Sequence, residues 1–589
     1  MDRKQSKVIK NERKLPNDRK KFNRPLNRYE TEKNTGSQRR DSASKRKLSQ
    51  KSDCTIDSSI SYKIINFFSI FNLLSGCVSC KKCGGDVNFT ETSIRGLGFK
   101  LVVNCKKCDP VLINSCPLIK NAYEINRRFI FAMRIIGIGL SGAERFCAFM
   151  DLPRPMFHSF YDRLVTQIRN AARNCCDLVL KKAAKEEIQE TCKHLKSNDI
   201  PGISVSGDGS WKKRGFKSSF GISSLIGYFT GKIVDVSMKS SYCKMCALMS
   251  SKKGTAEYDQ FMQDHALDCP INHENSSGQM EVDGIKEMFM RSELLHNVKY
   301  VNYIGDGDTK TYKNICDAKP YGDMVKIKKK ECINHVQKRM GSRLRALKKQ
   351  RTNKKTKTGK EENTQKSLGG KGRLTDKAIN EFTKYYGLAI RRHSNDVDEM
   401  YNAIWQTFYD KFSSPEDPQH FLCPEGANSW CQFQKAVATN TLDSLVEKPP
   451  LPADIAEALI PIYEDLSNPE LLERCVGGFT QNNNESFNAL VWQLAPKTNS
   501  SCSLIVEIAL YISTITFNDG ALATLKILEN LDVKVGPTLY SYCAERDATR
   551  VKAAECRMET ASKKIKKVKV NTKDKEEEPS YGPGLDSLM

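Results

Sequence analysis

The rhythm of apolar and polar positions changes several times along the chain, and each change announces an element. Residues 1–60 are polar and basic with almost no apolar periodicity, which predicts a disordered arm. The run "IINFFSIFNLL" (64–74) is too short to span a bilayer and predicts a core helix. "FKLVVN" (99–104) reads as a strand. From 121 to 195 the pattern is helical: "NAYEINRRFIFAMRIIGIGL" has a broad apolar face. "SGAERFCAFMDLPRPMFHSFYDRLVTQI" then gives a short helix, a turn with two prolines and a second helix, the layout of a helix-turn-helix. At residue 201 the texture changes to alternation. "GISVSGDGSW", "SSFGISSLIGYF" and "KIVDVSM" predict a three-strand antiparallel meander, with "KKRG" in its first loop and Thr230-Gly231 in its second. A helix follows (Met280–Leu295), then the strand "NVKYVNYIG", which stops at Gly305, then a further strand within "DMVKIKKKEC". "GFTQNNNESFNALVWQLA" (478–495) predicts one more helix, with Asn482, Asn483 or Asn484 as its cap and Phe487, Leu490, Val491 and Leu494 as its apolar stripe. The last residues, a basic run and then an acidic one, read as a charged disordered tail.

Composition sharpens this picture in two places. The 589 residues suit three to five domains, and the net charge of +25 is concentrated rather than spread. Residues 1–53 hold 18 Lys/Arg against 7 Asp/Glu, and residues 338–373 hold 14 against 2. Two such blocks in one large basic chain point to nucleic acid, because neutralising phosphates releases counterions. The tracts "RKKFNRP" and "SKRK" suit nuclear import. No secretory leader opens the sequence, so a reducing compartment is expected, where 22 cysteines serve zinc better than disulfides. Cys80/Cys83 and Cys105/Cys108 form two C-x-x-C knuckles flanking the 99–104 strand, the spacing of a Cys₄ zinc ribbon. Cys243, Cys246, His265 and Cys269 give a second set on the loop 243–273, with His273 a competitor for the last place.

The acids then fall into a pattern. Asp208 sits on the first strand of the meander, and Asp306 directly follows the fourth strand. "DG" is also an ordinary turn dipeptide, which explains Asp306 or Asp308 locally. The order β-β-β-α-β is that of an RNase H-like fold, in which the first and fourth strands are neighbours, so Asp208 and Asp306 would meet at one sheet edge. Carboxylates held that close repel unless a divalent cation lies between them. Glu485, in the first turn of the 478–495 helix and off its apolar stripe, supplies a third acid, although an acid there also complements the helix dipole.

"SGDGSW", "YIGDGDTKTY", "KKKECINHVQKRMGSRL" and "TQNNNESFNALVW", in this order, resemble the Mutator-like transposases of animal genomes, part of the eukaryotic DDE group. The resemblance implies an α/β fold: an RNase H-like catalytic core with an all-helical insertion, preceded by a zinc ribbon and a helical domain. The implied map is a basic arm (1–60), a zinc ribbon (61–120), a helical domain (121–200) and a first part of the core with its zinc-binding loop (201–342). The helical insertion (343–475), the last part of the core (476–545) and the tail (546–589) follow. The implied activity is transposition: metal-dependent cleavage at terminal inverted repeats and strand transfer into target DNA, in the nucleus, by at least a homodimer and with no membrane involved. The triad would be Asp208, Asp306 and Glu485, with Asp308 the alternative to Asp306, holding two Mg²⁺ or Mn²⁺ ions roughly 3.5–4 Å apart. The family's C-x-x-H signature falls on Cys332 and His335. Together with His420 and Cys423 of "HFLC" these are expected to form a further zinc site clipping insertion to core. Lys212, Lys213 and Arg214, just beyond Asp208, are placed to hold phosphates. The 338–373 block, headed by Lys338, Arg339, Arg343 and Arg345, is placed to track flanking DNA. Two other readings share these motifs: a domesticated, non-catalytic zinc-containing DNA-binding protein, and an RNase H-like nuclease that cuts without rejoining.

Overall fold

The computed structural model describes residues 41–48, 54–197, 201–213, 217–307, 309–353, 367–414, 416–423, 425–427, 431–445, 449–499 and 501–570. Arg214, Asp308, the 354–366 part of the basic block and the acidic end of the tail lie outside the described residues. The alternating segments around the first knuckles form an antiparallel ribbon of β1 (Val87–Arg95), β2 (Gly98–Cys105) and β3 (Val111–Asn114), with β2 in the middle. A short pair, β4 (Leu118–Ile119) and β5 (Ala122–Tyr123), follows. The apolar run before the ribbon does form a helix, Phe67–Cys77, but not a core helix. None of its residues is buried. It lies along one face of the ribbon through Phe67 against Phe99 and Phe71 against Phe89, with ring centroids 5.8 and 5.2 Å apart. A three-strand ribbon is too small to enclose it.

The central sheet joins β6 (Ile203–Trp211), β7 (Phe220–Gly227), β8 (Ile233–Ser240), β9 (Tyr300–Gly305) and β10 (Lys328–Glu331) in the order β10-β9-β6-β7-β8. The meander β6-β7-β8 is antiparallel, whereas β9 runs parallel to both β6 and β10. Helices cover both faces. On one, Val205, Leu225 and Val234 pack on Ile285, Met288 and Phe289 of the helix Ser277–His296. On the other, Phe220, Ile222 and Ile226 share a core with the helices His158–Leu195, Asn482–Leu494 and Ser503–Asp519. The predicted alternation of β7 therefore resolves into burial on both sides, with small Ser223 and Ser224 where helices come close. The 38-residue helix His158–Leu195, which follows the turn with Pro153 and Pro155, is built into this core along much of its length through Leu164, Ile168, Cys176 and Ala184. Its buried Glu187 accepts hydrogen bonds from the backbone of Phe229 and Thr230, both 2.8 Å, and so holds the β7-β8 turn.

The helical segment after β10 has a second core of its own. Helices Ile333–Asn353, Asp376–Arg392, Val397–Tyr409, Ala453–Leu466 and Pro469–Cys475 bury Leu344, Phe382, Tyr386, Ile404 and Tyr463 among themselves. The first of these helices crosses residue 343 without a break, so the sheet and this second core are joined by one continuous helix. Both chain ends are more structured than their composition suggests. Residues 43–47 of the basic arm form a helical turn whose Lys47 is buried over the Phe517 ring, 3.7 Å from its centroid, and Ile56 bridges to Val535. The expected tail begins within a helix, Pro537–Val570. Among the described residues no helix is long and apolar enough to cross a membrane.

One ion pair fastens a covering helix to the sheet. Arg291 donates from Nε and Nη2 to the two oxygens of Asp235, at 3.0 and 2.7 Å, and burial otherwise pushes the Asp235 carboxyl upward. Arg291→Leu leaves a buried carboxylate without its partner. It is expected to cost about 3–5 kcal/mol, read as a lower denaturant midpoint, and adding Asp235→Leu is expected to recover much of that loss.

Candidate active site and metal centres

The parallel register of β6 and β9 pairs Val205 with Tyr303 and Ser206 with Ile304. Continued by two residues, it sets Asp208 beside Asp306. Glycines flank Asp208 for a steric reason. A Cβ on Gly207 would lie 2.6 Å from the Tyr303 ring, and one on Gly209 would lie 2.6 Å from Glu281. Asp208 faces the opposite side, where the helix Asn482–Leu494 rides along β6.

That helix is held by a ladder. Asn484 donates to Ser206 O (3.1 Å) and accepts from Ser206 Oγ (2.9 Å). Asn488 donates to Asp208 Oδ2 (2.8 Å), and Trp492 Nε1 donates to Ser210 Oγ (2.8 Å). Gln481 adds a bond to Gly207 O at 2.7 Å. Four helical residues advance about 6 Å and two strand residues about 6.6 Å, so every rung meets its partner. Asn484 is therefore not a cap; it is fully buried, and the helix starts after Gln481 without a side-chain cap. Glu485 stands in the first turn, one residue after the first rung, exposed towards the acid edge.

Burial first, then the neighbouring Asp306 and also Glu485, push Asp208 up to about 7, against the opposing hydrogen bonds from Gly209 and Asn488. Three carboxylates from distant stretches of chain thus share one electrostatic site. Oxygen donors at an edge open on the Glu485 side fit a hard divalent cation that keeps positions for phosphate. Asn484, Asn488 and Trp492 were missed in the sequence, although their four-residue polar spacing was a visible signal.

Cys332 and His335 belong to this edge, which corrects the expectation that they share a zinc site with His420 and Cys423. Cys332 N bonds Gly305 O (3.2 Å) where β10 passes into the helix Ile333–Asn353, and its thiol is buried. Burial lowers His335, while Asp306 and Glu485 oppose that shift by their charge. The strand order places both residues next to the end of β9. His420 and Cys423 meet Cys431 instead.

The other two clusters assemble from the expected ligands. Cys80, Cys83, Cys105 and Cys108 converge, with Cys80–Cys108 and Cys83–Cys105 sulfurs 3.8 and 3.4 Å apart. Cys243, Cys246, His265 and Cys269 do the same, with 3.2 Å from Cys243 to His265 and 3.6 Å between Cys246 and Cys269. Zn–S and Zn–N bonds of about 2.3 and 2.0 Å imply tetrahedral edges of about 3.5–3.8 Å, close to these separations. His273 is engaged elsewhere, with Ser276 O and Asp283.

The basic residues are less available than their charge suggests. Arg339 pairs with Glu331 (2.7 Å), Arg343 with Asp465, and Arg345 with Asn380 (2.8 Å). Lys338 and Lys213 are exposed, and Lys212 is half-buried over Phe220.

The sequence profile described as Mutator-like transposase matches residues 61–431. The chain belongs to the Mutator-like transposases. Membership places it among DNA-binding, nucleic-acid-cleaving enzymes. The matched stretch contains Asp208, Asp306 and all three Cys/His clusters, while Glu485 lies beyond it. No curated protein and no solved structure matches the chain.

Two outcomes follow for this transposase. Asn484→Leu removes the first rung and leaves the buried Ser206 hydroxyl without its acceptor; it is expected to cost about 1–3 kcal/mol and, by shifting Glu485, about 10²-fold in activity. An unfolded aspartate loses its proton near about 4, while folded Asp208 keeps it to about 7. Between those values the folded state binds more protons, so without added cation the Asp208 contribution destabilises progressively as pH rises through this window. Asp208→Asn is expected to have the higher Tm above pH 7, with the gap closing towards pH 4. Mn²⁺ is expected to raise the Tm of the natural protein only.

Proposed function

We propose that this transposase is a DDE enzyme with an RNase H-like core, which cleaves DNA at the terminal inverted repeats of its element and joins the freed 3′ ends to target DNA. The observation that carries this reading is the meeting of Asp208, Asp306 and Glu485 at the β6–β9 edge. The sheet order β10-β9-β6-β7-β8 supports it, with the first and fourth strands of the sheet adjacent and parallel.

Mg²⁺ or Mn²⁺ bound there would supply the acidity that turns water, and later a 3′-hydroxyl, into the nucleophile, together with charge stabilisation for the leaving oxygen. Asp208, on β6 and held by Asn488, and Asp306, directly after β9, would be the fixed ligands. Glu485 closes the set from the helix, and its exposure leaves the phosphodiester a route in. Lys338 beside the acid edge, and Lys212 and Lys213 beyond the end of β6, would hold DNA phosphates. Zinc in the first two clusters has a structural role. The site of action is the nucleus, and two element ends are engaged by at least two copies of the chain.

The test is strand transfer in Mn²⁺, offering a pre-cleaved element end with a plasmid target. Joined product is expected from the natural protein and none from Asp208→Asn or Glu485→Gln. Tight DNA binding without product from any of the three would point to a non-catalytic DNA-binding protein. Cleavage without joining would point to a nuclease.

A further inference from the structure

The segment between the helices Val397–Tyr409 and Ala453–Leu466 spans more than forty residues. Its described part has only one seven-residue helix, Gln432–Ala438, and a single 3₁₀ turn, Leu442–Ser444. Among its described residues only Phe412 and Leu451 pack, partly buried, against the second apolar core. A stretch with so little burial needs another source of order.

Three ligand groups converge inside it. His420 Nδ1 lies 3.5 Å from Cys431 Sγ and 3.8 Å from Cys423 Sγ, edge lengths that suit a tetrahedral zinc. All three residues are buried. The imidazole is aimed by its far side: Nε2 meets Ser413 Oγ at 2.9 Å, and the ring stacks on Phe433 with centroids 4.5 Å apart. Such support of the second ring nitrogen is what fixes a metal-binding histidine. Beside Cys423 lies the buried amide of Gln406, whose hydrogen bond favours the Cys423 thiolate. A thiolate is the form of cysteine that binds a metal.

We propose that His420, through Nδ1, with Cys423 and Cys431 supplies three ligands to a structural Zn²⁺ whose fourth position is taken by water, tying these residues to the end of the helix Val397–Tyr409, and that Cys332 and His335 take no part. The metal supplies the cross-link that the missing apolar core cannot, as in small zinc-dependent folds. The site is separate from the acid edge and does not depend on the chain being an active recombinase.

The test is the zinc content of the full chain, purified without chelator. Three Zn²⁺ per chain are expected in the natural protein, two in Cys431→Ser and three in Cys332→Ser. A Cys431→Ser protein that keeps as much zinc as the natural one overturns the proposal, as does loss of one equivalent in Cys332→Ser. Should Cys431→Ser fail to fold, alkylation of the natural protein mapped by mass spectrometry decides. Cys423 and Cys431 are expected to become reactive together once a chelator removes zinc. Labelling unchanged by the chelator, or a Cys423–Cys431 disulfide peptide, overturns it.

Discussion

A helix that advances about 6 Å in four residues can lie against a strand that advances about 6.6 Å in two, and the acid edge of this protein depends on that near-match. Asn484, Asn488 and Trp492 meet Ser206, Asp208 and Ser210 rung by rung across some 280 positions of sequence. One of the rungs is itself the Asp208 carboxylate. The contacts that dock the helix therefore also orient an acid, and Glu485 is carried into place one residue from the first rung. Moving the helix by one turn would break the polar pairing and the carboxylate cluster together.

The same contacts close a very long loop. Between β6 and the Asn482–Leu494 helix lie the rest of the sheet, the Cys/His loop and the whole helical insertion. Closing such a loop costs entropy that grows only slowly with length, so a large insertion is tolerated if it is rigid at its roots. It is. The helix Ile333–Asn353 starts on Gly305 and Phe479 through backbone hydrogen bonds at Cys332 and Ile333, and Asn334 bonds Asn482. Cys332 and His335 thus stand where the insertion leaves the sheet, against the acid edge, which suits positioning better than zinc.

Charge works in opposite senses in the two halves of the site. The acids are crowded together, and their mutual repulsion shows in the raised Asp208. The arginines of the neighbouring basic helix are mostly compensated by Glu331 and Asp465. Lys338, near His335 at the acid edge, remains exposed, as does Lys213 beyond the end of β6. A mobile ammonium suits a backbone phosphate that must arrive and leave, whereas a forked guanidinium already committed to a carboxylate does not.

Local features were legible from the sequence. The knuckle spacings of Cys80/Cys83, Cys105/Cys108 and Cys243/Cys246 foretold which thiols meet, because a C-x-x-C turn is short enough to set its own geometry. The alternation from 201 to 240 foretold the meander, and the strand ending at Gly305 foretold where Asp306 would stand. Pairings that cross the fold were not legible. Whether His420 meets Cys332 or Cys431 depends on how the chain beyond Tyr409 folds back, and Cys/His composition is the same for either. The Ile64–Leu74 run and the Lys47 turn were misjudged because hydropathy records what a segment prefers, not whether a neighbour is large enough to cover it. Asn484 looked like a helix cap because asparagine's local chemistry favours that role; only a strand lying alongside made it a rung. The sequence by itself determined elements and short-range ligand pairs, whose free energy is local. The tertiary structure alone decided which distant polar groups share a buried edge, because that choice is made by packing between surfaces no local pattern encodes.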